Sequence, residues 1–527
     1  MEQGGSLGGT IGNTSTMSTT LRNQGNGNND VEKKPISKNL EVNRQQIMEN
    51  FNECFDFVFL PWRYGPELGN EAFSAYFDSL VEDKKVNYMK ASLQDLVNHE
   101  IGPGTEVTPE MFMHFFEEHG VSGQTAMLVD DFNTAVLNIL NGNLVIFIDG
   151  WDKALSFKAI GVQTRQITEP VNEGVVYGPR ESSVENLKKN LGLIRLRIKS
   201  HRFKLITLSG GGESRTEVVY GYIDGCVNPE TLEEFKRRIE TIKDKEILEA
   251  AYVEELIEDS TYSPFPQIRY TERPDVVASA LIDGKIVVLC QGSGMMMLCP
   301  GLFAELLQSS EDYYQRTIIA SVTRCLRLIA CIIALTLPSI YIALTTYHPE
   351  LIPSVLLLAI VDAREGIPFP AFFEALIMEF FFELLREAGV RLPRPVGSAV
   401  SIVGALVIGD AAISAGIASP IMVVLVALTG IASFAIPQYN TAIALRLLRF
   451  PLMAIAALLG GFGLLFGLIF ILLHLVTLRA LGQPYLAPIA PLRPRQLLDV
   501  LIRAPIKNIM RSPRNRHMHM PIKRRKG

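Results

Sequence analysis

Three carboxylates stand where carboxylates are rarely tolerated. Glu374, Glu379 and Glu383 lie in one apolar stretch, 368–388. At helical spacing Glu379 and Glu383 are about 40° apart on one face, and Glu374 is about 140° from Glu379. A single acid at a bilayer centre costs roughly 2.5–3.5 kcal/mol on insertion scales, so three need partners or water. Their chemistry is cation attraction: acids repeated around a ring of copies draw cations into a pore. The other reading is a helix at the membrane interface with Glu383 paired to Arg386. Asp410 is the only acid from Ala388 to Leu498. Small neighbours flank it, so it is either an ion or helix-contact group or a loop residue. Pro353, Pro368 and Pro370 break the apolar run upstream. Broken backbone at membrane depth must line a cavity or be buried in protein, which makes these prolines pathway candidates, an interfacial loop being the alternative.

Catalytic chemistry finds no comparable support. GxxxxGK[ST] and HExxH do not occur. Gly210-Gly211-Gly212 joins two expected strands and lacks the lysine and helix of a phosphate loop. The six cysteines form no CxxC pair, and His517 and His519 are too loosely set for a metal site. The expectation is therefore no enzyme, no cofactor, no metal and no nucleic-acid partner.

The elements that must hold these residues divide the chain in two. Apolar segments fall at about 318–346, 351–361, 368–385, 396–418, 420–436 and 451–478. The first and last are long enough to cross a bilayer, which takes roughly 20 residues. Net charge is −5, yet residues 493–527 carry eleven Lys or Arg against one Asp. This basic tail after an apolar span reads as cytoplasmic, as do Arg324 and Arg327 at the start of the first span, and the tail is a candidate for contact with anionic lipid. Arg386, Arg391, Arg394, Arg446 and Arg449 also ask for the cytoplasmic side. With 351–385 taken as one broken span, five crossings result, an odd number that contradicts the tail; four or six restore parity.

Before the membrane region the expected organisation is a disordered Gly/Asn/Ser/Thr-rich tail over 1–44, a mainly helical subdomain over 45–140, and an α/β subdomain with its junction over 141–317. The membrane domain covers 318–480 and the basic tail 481–527. Helices are expected at about 127–141, 181–200, 246–258 and from Asn228-Pro229 onward. Strands are expected at 144–148, 203–208 and 217–223, with a hairpin around Asp283-Gly284 in 281–290. The fold class is thus a mixed α/β cytoplasmic region, in two subdomains, followed by an α-helical transmembrane domain. Gly460, Gly461, Gly463 and Gly467 indicate close helix packing rather than chemistry.

Several motifs at the junction carry a resemblance. Tyr262-Ser-Pro-Phe-Pro-Gln267, Thr271-Glu-Arg-Pro-Asp-Val-Val277 and Gln308-Ser-Ser-Glu-Asp-Tyr-Tyr314 resemble the spore germination GerA family, A-type subunit. Gly178-Pro-Arg-Glu-Ser182, Gly366-Ile-Pro-Phe-Pro370 and Phe372-Phe373-Glu374 are similar to its pattern as well. The resemblance runs over about residues 45–495. It departs at Gln291–Met297, where an Asp-Gly-Thr-Pro-type stretch is expected. It implies a subunit of a nutrient germinant receptor in the spore inner membrane, with both termini on the core side. Its implied partners are a transporter-like B subunit and a C lipoprotein. It further implies self-association into a pentamer that acts as a nutrient-gated cation channel. The family also includes a stage V sporulation paralogue. A non-conducting scaffold subunit and a transporter or lipid-handling protein remain the alternatives.

Overall fold

The computed structural model describes residues 34–64, 69–82, 84–87, 126–161, 170, 172–393, 404 and 406–505. Most of the expected disordered tail, and the histidines His517 and His519, lie outside these residues. The folded chain begins before residue 45, however. Ile36 is buried, and α1 (Leu40–Asn50) starts on Asn39, whose side chain accepts the Glu41 N–H.

The region expected to be mainly helical contributes strands instead. β1 (Phe57–Tyr64), β2 (Asn70–Phe77), β3 (Ala126–Val129), β4 (Asn143–Ile148) and β5 (Ala154–Lys158) form one antiparallel sheet in the order β1-β2-β4-β5-β3. The aromatic run after α1 explains the difference. Phe57 and Phe59 share one face of the pleated strand; Phe57 stacks on Phe51 and meets Phe77 edge-on, and Phe59 lies tilted against Phe73, a use that aromatic side chains favour in strands. Pro61 is accommodated because β1 is at the sheet edge. Within 127–141 only α2 (Phe132–Leu140) is helical, capped by Asp131. A boundary at 140 would cut this sheet, since β4 and β5 belong to it.

The second sheet has the order β6-β7-β9-β10-β8. It consists of β6 (Phe203–Ser209), β7 (Glu217–Ile223), β8 (Arg269–Thr271), β9 (Ile286–Cys290) and β10 (Met296–Cys299), all antiparallel. Alternation along β7 sends Val218, Tyr220 and Tyr222 to one core. Val219 and Ile223 go to the other. The first core is covered by α4 (Pro229–Ile239) and α5 (Ala250–Ile257), the second by α3 (Leu187–Arg197) and α6 (Pro274–Ile282). The expected hairpin at Asp283-Gly284 is the end of α6. Gly284 has φ +86°, and a Cβ there would meet the Cys226 carbonyl oxygen at 2.4 Å. The two sheets are clamped by Arg195, which donates to both oxygens of Asp56 at 2.8 and 2.6 Å with both side chains buried.

The C-terminal half is helical: α7 (Thr317–Tyr347), α8 (Ser354–Ala363), α9 (Ala371–Arg391), α10 (406–414), α11 (Pro420–Phe434) and α12 (Tyr439–Thr477). Among the described residues α7 and α12 are long and apolar enough to cross a membrane. α12 does not run straight. Gly460 adopts φ 62°, ψ −145°. Gly463 then lies against Ile455 and Leu459, and Gly467 against Leu452. A straight helix would hold residues 452 and 467 about 22 Å apart. α12 is therefore a helical hairpin with arms 439–459 and 461–477. After it, β11 (Arg479–Ala480) and β12 (Gln483–Pro484) turn back into the soluble region, where Leu481 joins the second sheet's core. α13 (Pro494–Leu501) follows.

Candidate functional site

The helical arms alternate in direction relative to the sheets. α7 starts at the soluble body, where Asp312 binds Arg324 and Arg327 at 3.0 and 2.8 Å. Asp499 of α13 also reaches Arg324, and Tyr313 donates to Asp499 at 2.8 Å. The two arginines at the start of the span are thus partnered as well as positive. The far end of α7 meets the turn of α12: the Tyr347 hydroxyl donates to the carbonyls of Ala457 and Leu458 at 2.9 Å. The first arm of α12 leaves the soluble body, with Ile436 and Ala442 packed in one cluster with Phe265. The second arm returns to it, where His474 Nε2 lies 2.9 Å from the Ser263 hydroxyl. Between these, α9 comes back from the far end, α10 goes out and α11 comes back.

The proline-broken segment lies at the far end. Pro353 is the residue before α8, Pro370 the residue before α9, and Pro368 lies between them; all three are exposed. An open hollow of about 900 Å³ is lined by Thr345, by residues 357–362 and by Arg364 and Glu365, with Asp362 and Glu365 exposed. α8 ends at Ala363 with Arg364 as its C-cap, and Gly366, at φ +84°, and the prolines after it keep the helix from resuming before α9.

Two of the three glutamates of α9 are fully buried within the chain and the third is half-buried. Glu374 is fully buried; Arg364 binds one oxygen at 3.0 Å, and the backbone N–H of Ser419 donates to the other at 3.1 Å. Glu379 is fully buried 2.9 Å from Arg449, itself fully buried on the first arm of α12. Glu383, half-buried, lies 3.2 Å from Arg446 one turn earlier on that arm. The expected Glu383–Arg386 pair is replaced by this one. Arg386 instead donates to Ser433 Oγ at 3.3 Å and sits over the rings of Phe434 and Tyr439. Arg446 and Arg449, read from sequence as markers of the cytoplasmic side, are the acids' counter-charges. A buried pair of this kind is costly to break by removing one partner, about 3–5 kcal/mol.

Asp410 is on a helix, not in a loop, and is exposed. The helix contact there is made by Gly409, whose Cβ position lies 3.5 Å from Val423. The structure thus separates two sets of acids. Glu374, Glu379 and Glu383 are paired within the chain, whereas Asp362, Glu365 and Asp410 face outward. Sequence reasoning passed over Asp362 and Glu365, although their place between Pro353 and Pro368 was a usable signal.

A second hollow, of about 510 Å³, lies at the junction between α5, the 261–266 loop and the start of α12, lined among others by Glu254, Glu255, Glu258, Asn440 and Ile443. Burial, with Glu254, Glu255 and Asp259 nearby, pushes Glu258 up to about 7. Among the described residues no group of three or more His, Cys, Asp or Glu side chains has a metal-binding arrangement.

Comparison with known proteins adds four findings. The family model described as Bacillus/Clostridium GerA spore germination protein matches residues 45–515. An uncharacterized membrane protein, YfkQ, of Bacillus subtilis (strain 168) is 41% identical over 92% of this chain and 92% of its own length. Spore germination protein KA of the same organism is 39% identical over 89% of this chain and 85% of its own. A crystal structure of the N-terminal domain of the A subunit of the Bacillus megaterium spore germinant receptor GerK3 aligns with 51% of this chain and 98% of that one, at 24% identity and a TM-score of 0.40.

Proposed function

The chain belongs to the GerA spore germination protein family, and on that premise we propose that it is the A-type subunit of a nutrient germinant receptor that conducts cations. It crosses the spore inner membrane six times through α7, α9, α10, α11 and the two arms of α12. The soluble body and the 479–505 segment lie together on the core side. A transporter-like B subunit and a C lipoprotein complete the receptor, and copies of this chain form a pentameric ring.

One observation carries the conducting reading. Asp362, Glu365 and Asp410 are exposed on the helical domain among large exposed apolar side chains such as Leu358, Val361, Leu406 and Val407. Held at the bilayer centre, an acid would cost roughly 2.5–3.5 kcal/mol against lipid, and less toward the far end. A neighbouring copy and a shared water-filled path remove that cost, and prolines at 353, 368 and 370 supply the irregular backbone such a path requires. The pathway is therefore assigned to the 351–370 segment, with Glu374 behind it. Nutrient bound by the partners shifts a closed–open equilibrium because it binds the two states unequally.

The pairing of all three α9 acids also favours a second reading, a scaffold subunit that holds the receptor together without conducting. Purified protein in planar bilayers, alone and with its partner subunits, separates the two. A nutrient-dependent cation current from a particle whose mass is a multiple of one chain supports the channel. A ring that passes no current leaves the scaffold, and a monomer with saturable substrate flux would point to a transporter instead.

A further inference from the structure

The membrane helices pack in two apolar clusters, and α7 and the first arm of α12 contribute to both. Ala442, Leu445 and Leu452 of the first arm of α12 share a cluster with Leu335 of α7, Leu475, Tyr485 and Phe265, which ties that arm to the soluble region. Ala375 and Met378 of α9 share another with Tyr341 of α7, Ala412, Met422, Val426 and Met453 of the first arm of α12. The hairpin after α12 strengthens the first tie. Gln483 donates to Thr231 of α4 at 2.8 Å, both buried, and the Tyr485 hydroxyl donates to the Pro266 carbonyl at 2.8 Å. On the same α9–α12 face stand the ion pairs Glu379–Arg449 and Glu383–Arg446.

These pairs differ in kind from the Asp56–Arg195 clamp. There, two aligned hydrogen bonds fix the geometry. Here neither oxygen of Glu379 and none of the Nε, Nη1 and Nη2 atoms of Arg449 is in hydrogen-bonding alignment, although all are buried. Glu383 Oε2 and Arg446 Nη1 are likewise unaligned. The attraction is charge against charge in a low dielectric, strong but weakly directed. Such contacts re-form after one helix shifts along another, where an aligned fork would be lost.

We propose that Arg446 and Arg449 are positioning residues: through Glu383 and Glu379 they hold α9 against α12, so that a shift of the soluble body reaches the 351–370 segment. The route is continuous in named contacts. It passes from α4 to the β11–β12 hairpin, along α12, across the two ion pairs to α9, and from Glu374 to Arg364 at the end of α8. This rests on the receptor-channel reading above.

The test uses spores carrying the full receptor with E379Q, R449Q, the exchange E379R/R449E, or E383Q, the mildest because Glu383 is half-exposed. Receptor abundance, cation release against nutrient concentration, and the thermal midpoint of the purified protein are measured. The single variants are expected to move the half-maximal nutrient concentration roughly tenfold or to release cations without nutrient, as a coupling of ordinary size does. The exchange is expected to bring the response back toward wild type. E383Q is expected to shift the same concentration less, at normal abundance. If E379Q and R449Q fail to accumulate, E383Q decides. Unchanged dose–response in E383Q, or an exchange that restores the thermal midpoint but not the response, makes the pairs structural only and overturns the proposal. Spores lacking the chain altogether are the control: if they germinate normally on every nutrient, it is the receptor reading that fails.

Discussion

Glu258 places a titrating group at the joint between the soluble body and α12. Burial, and then the neighbouring Glu254, Glu255 and Asp259, raise it from 4.5 to about 7. The folded state therefore binds a proton that the unfolded chain releases. That contribution to stability is fully present below about pH 4.5 and is lost as pH rises through about 7. Glu258→Gln should raise the thermal midpoint of the purified protein above neutral pH. The gain should shrink as pH falls and vanish near the unfolded value. A gain that does not vary with pH would mean that burial of the side chain, not its charge, sets the effect. Other acids show what a residue list does and does not disclose. Glu374, Glu379 and Glu383 are legible as misplaced charges because they interrupt an apolar run. The partners of Glu379 and Glu383 are not, because Arg446 and Arg449 follow them by more than sixty residues and share no local pattern with them. Read alone, those arginines resemble markers of the cytoplasmic side.

At the level of elements, local rules read well where a local interaction decides the outcome. Asn228 caps α4 by accepting the Glu230 N–H, with Pro229 at the first helical position, as the residue types suggest. The β6–β7 pair likewise follows from its two branched, aromatic-rich runs. Reading fails where the decision is tertiary. The Asp283-Gly284 dipeptide suits a hairpin turn and a helix end equally, and the carbonyl of Cys226 packed against Gly284 selects the second. α12 is the largest such case, since glycines at 460, 461, 463 and 467 suggest packing without showing that the helix doubles back. The turn depends on Gly460: besides its positive φ, a Cβ there would meet the Tyr347 side chain at 2.8 Å. Gly460→Ala should cost about 1–3 kcal/mol in backbone strain, with the clash added, and lower both thermal midpoint and membrane abundance. Gly461→Ala, whose Cβ would approach only the edge of the His348 ring at 3.3 Å, should be milder. Equal effects of the two would mean that loss of any small residue, not the reversal, is what matters.

Across the whole molecule, the doubled α12 resolves the parity problem that the apolar segments pose. Counted as a single span, residues 451–478 leave an odd number of crossings. Split at Gly460, α12 supplies two arms of about 31 and 26 Å, close to the hydrocarbon thickness of a bilayer. Both the start of α7 and the end of α12 are fastened to the soluble body, through Asp312 and through Tyr485. The six crossings of the proposed topology predict a labelling pattern. Cysteine at Tyr262 or Arg479 should react with a membrane-impermeant maleimide from one face of sealed vesicles. Cysteine at Glu350 or Glu365 should react only from the other, with the native protein as background because Cys325 is exposed on α7. Reaction of Glu350→Cys and Tyr262→Cys from the same face would mean that α7 does not cross. Reaction of Arg479→Cys from the face opposite Tyr262→Cys would restore an odd count, separating the 479–484 hairpin from the sheet core in which Leu481 is buried. Since that burial ties the last helix to the soluble body, the labelling pattern also tests whether movement of one can reach the other.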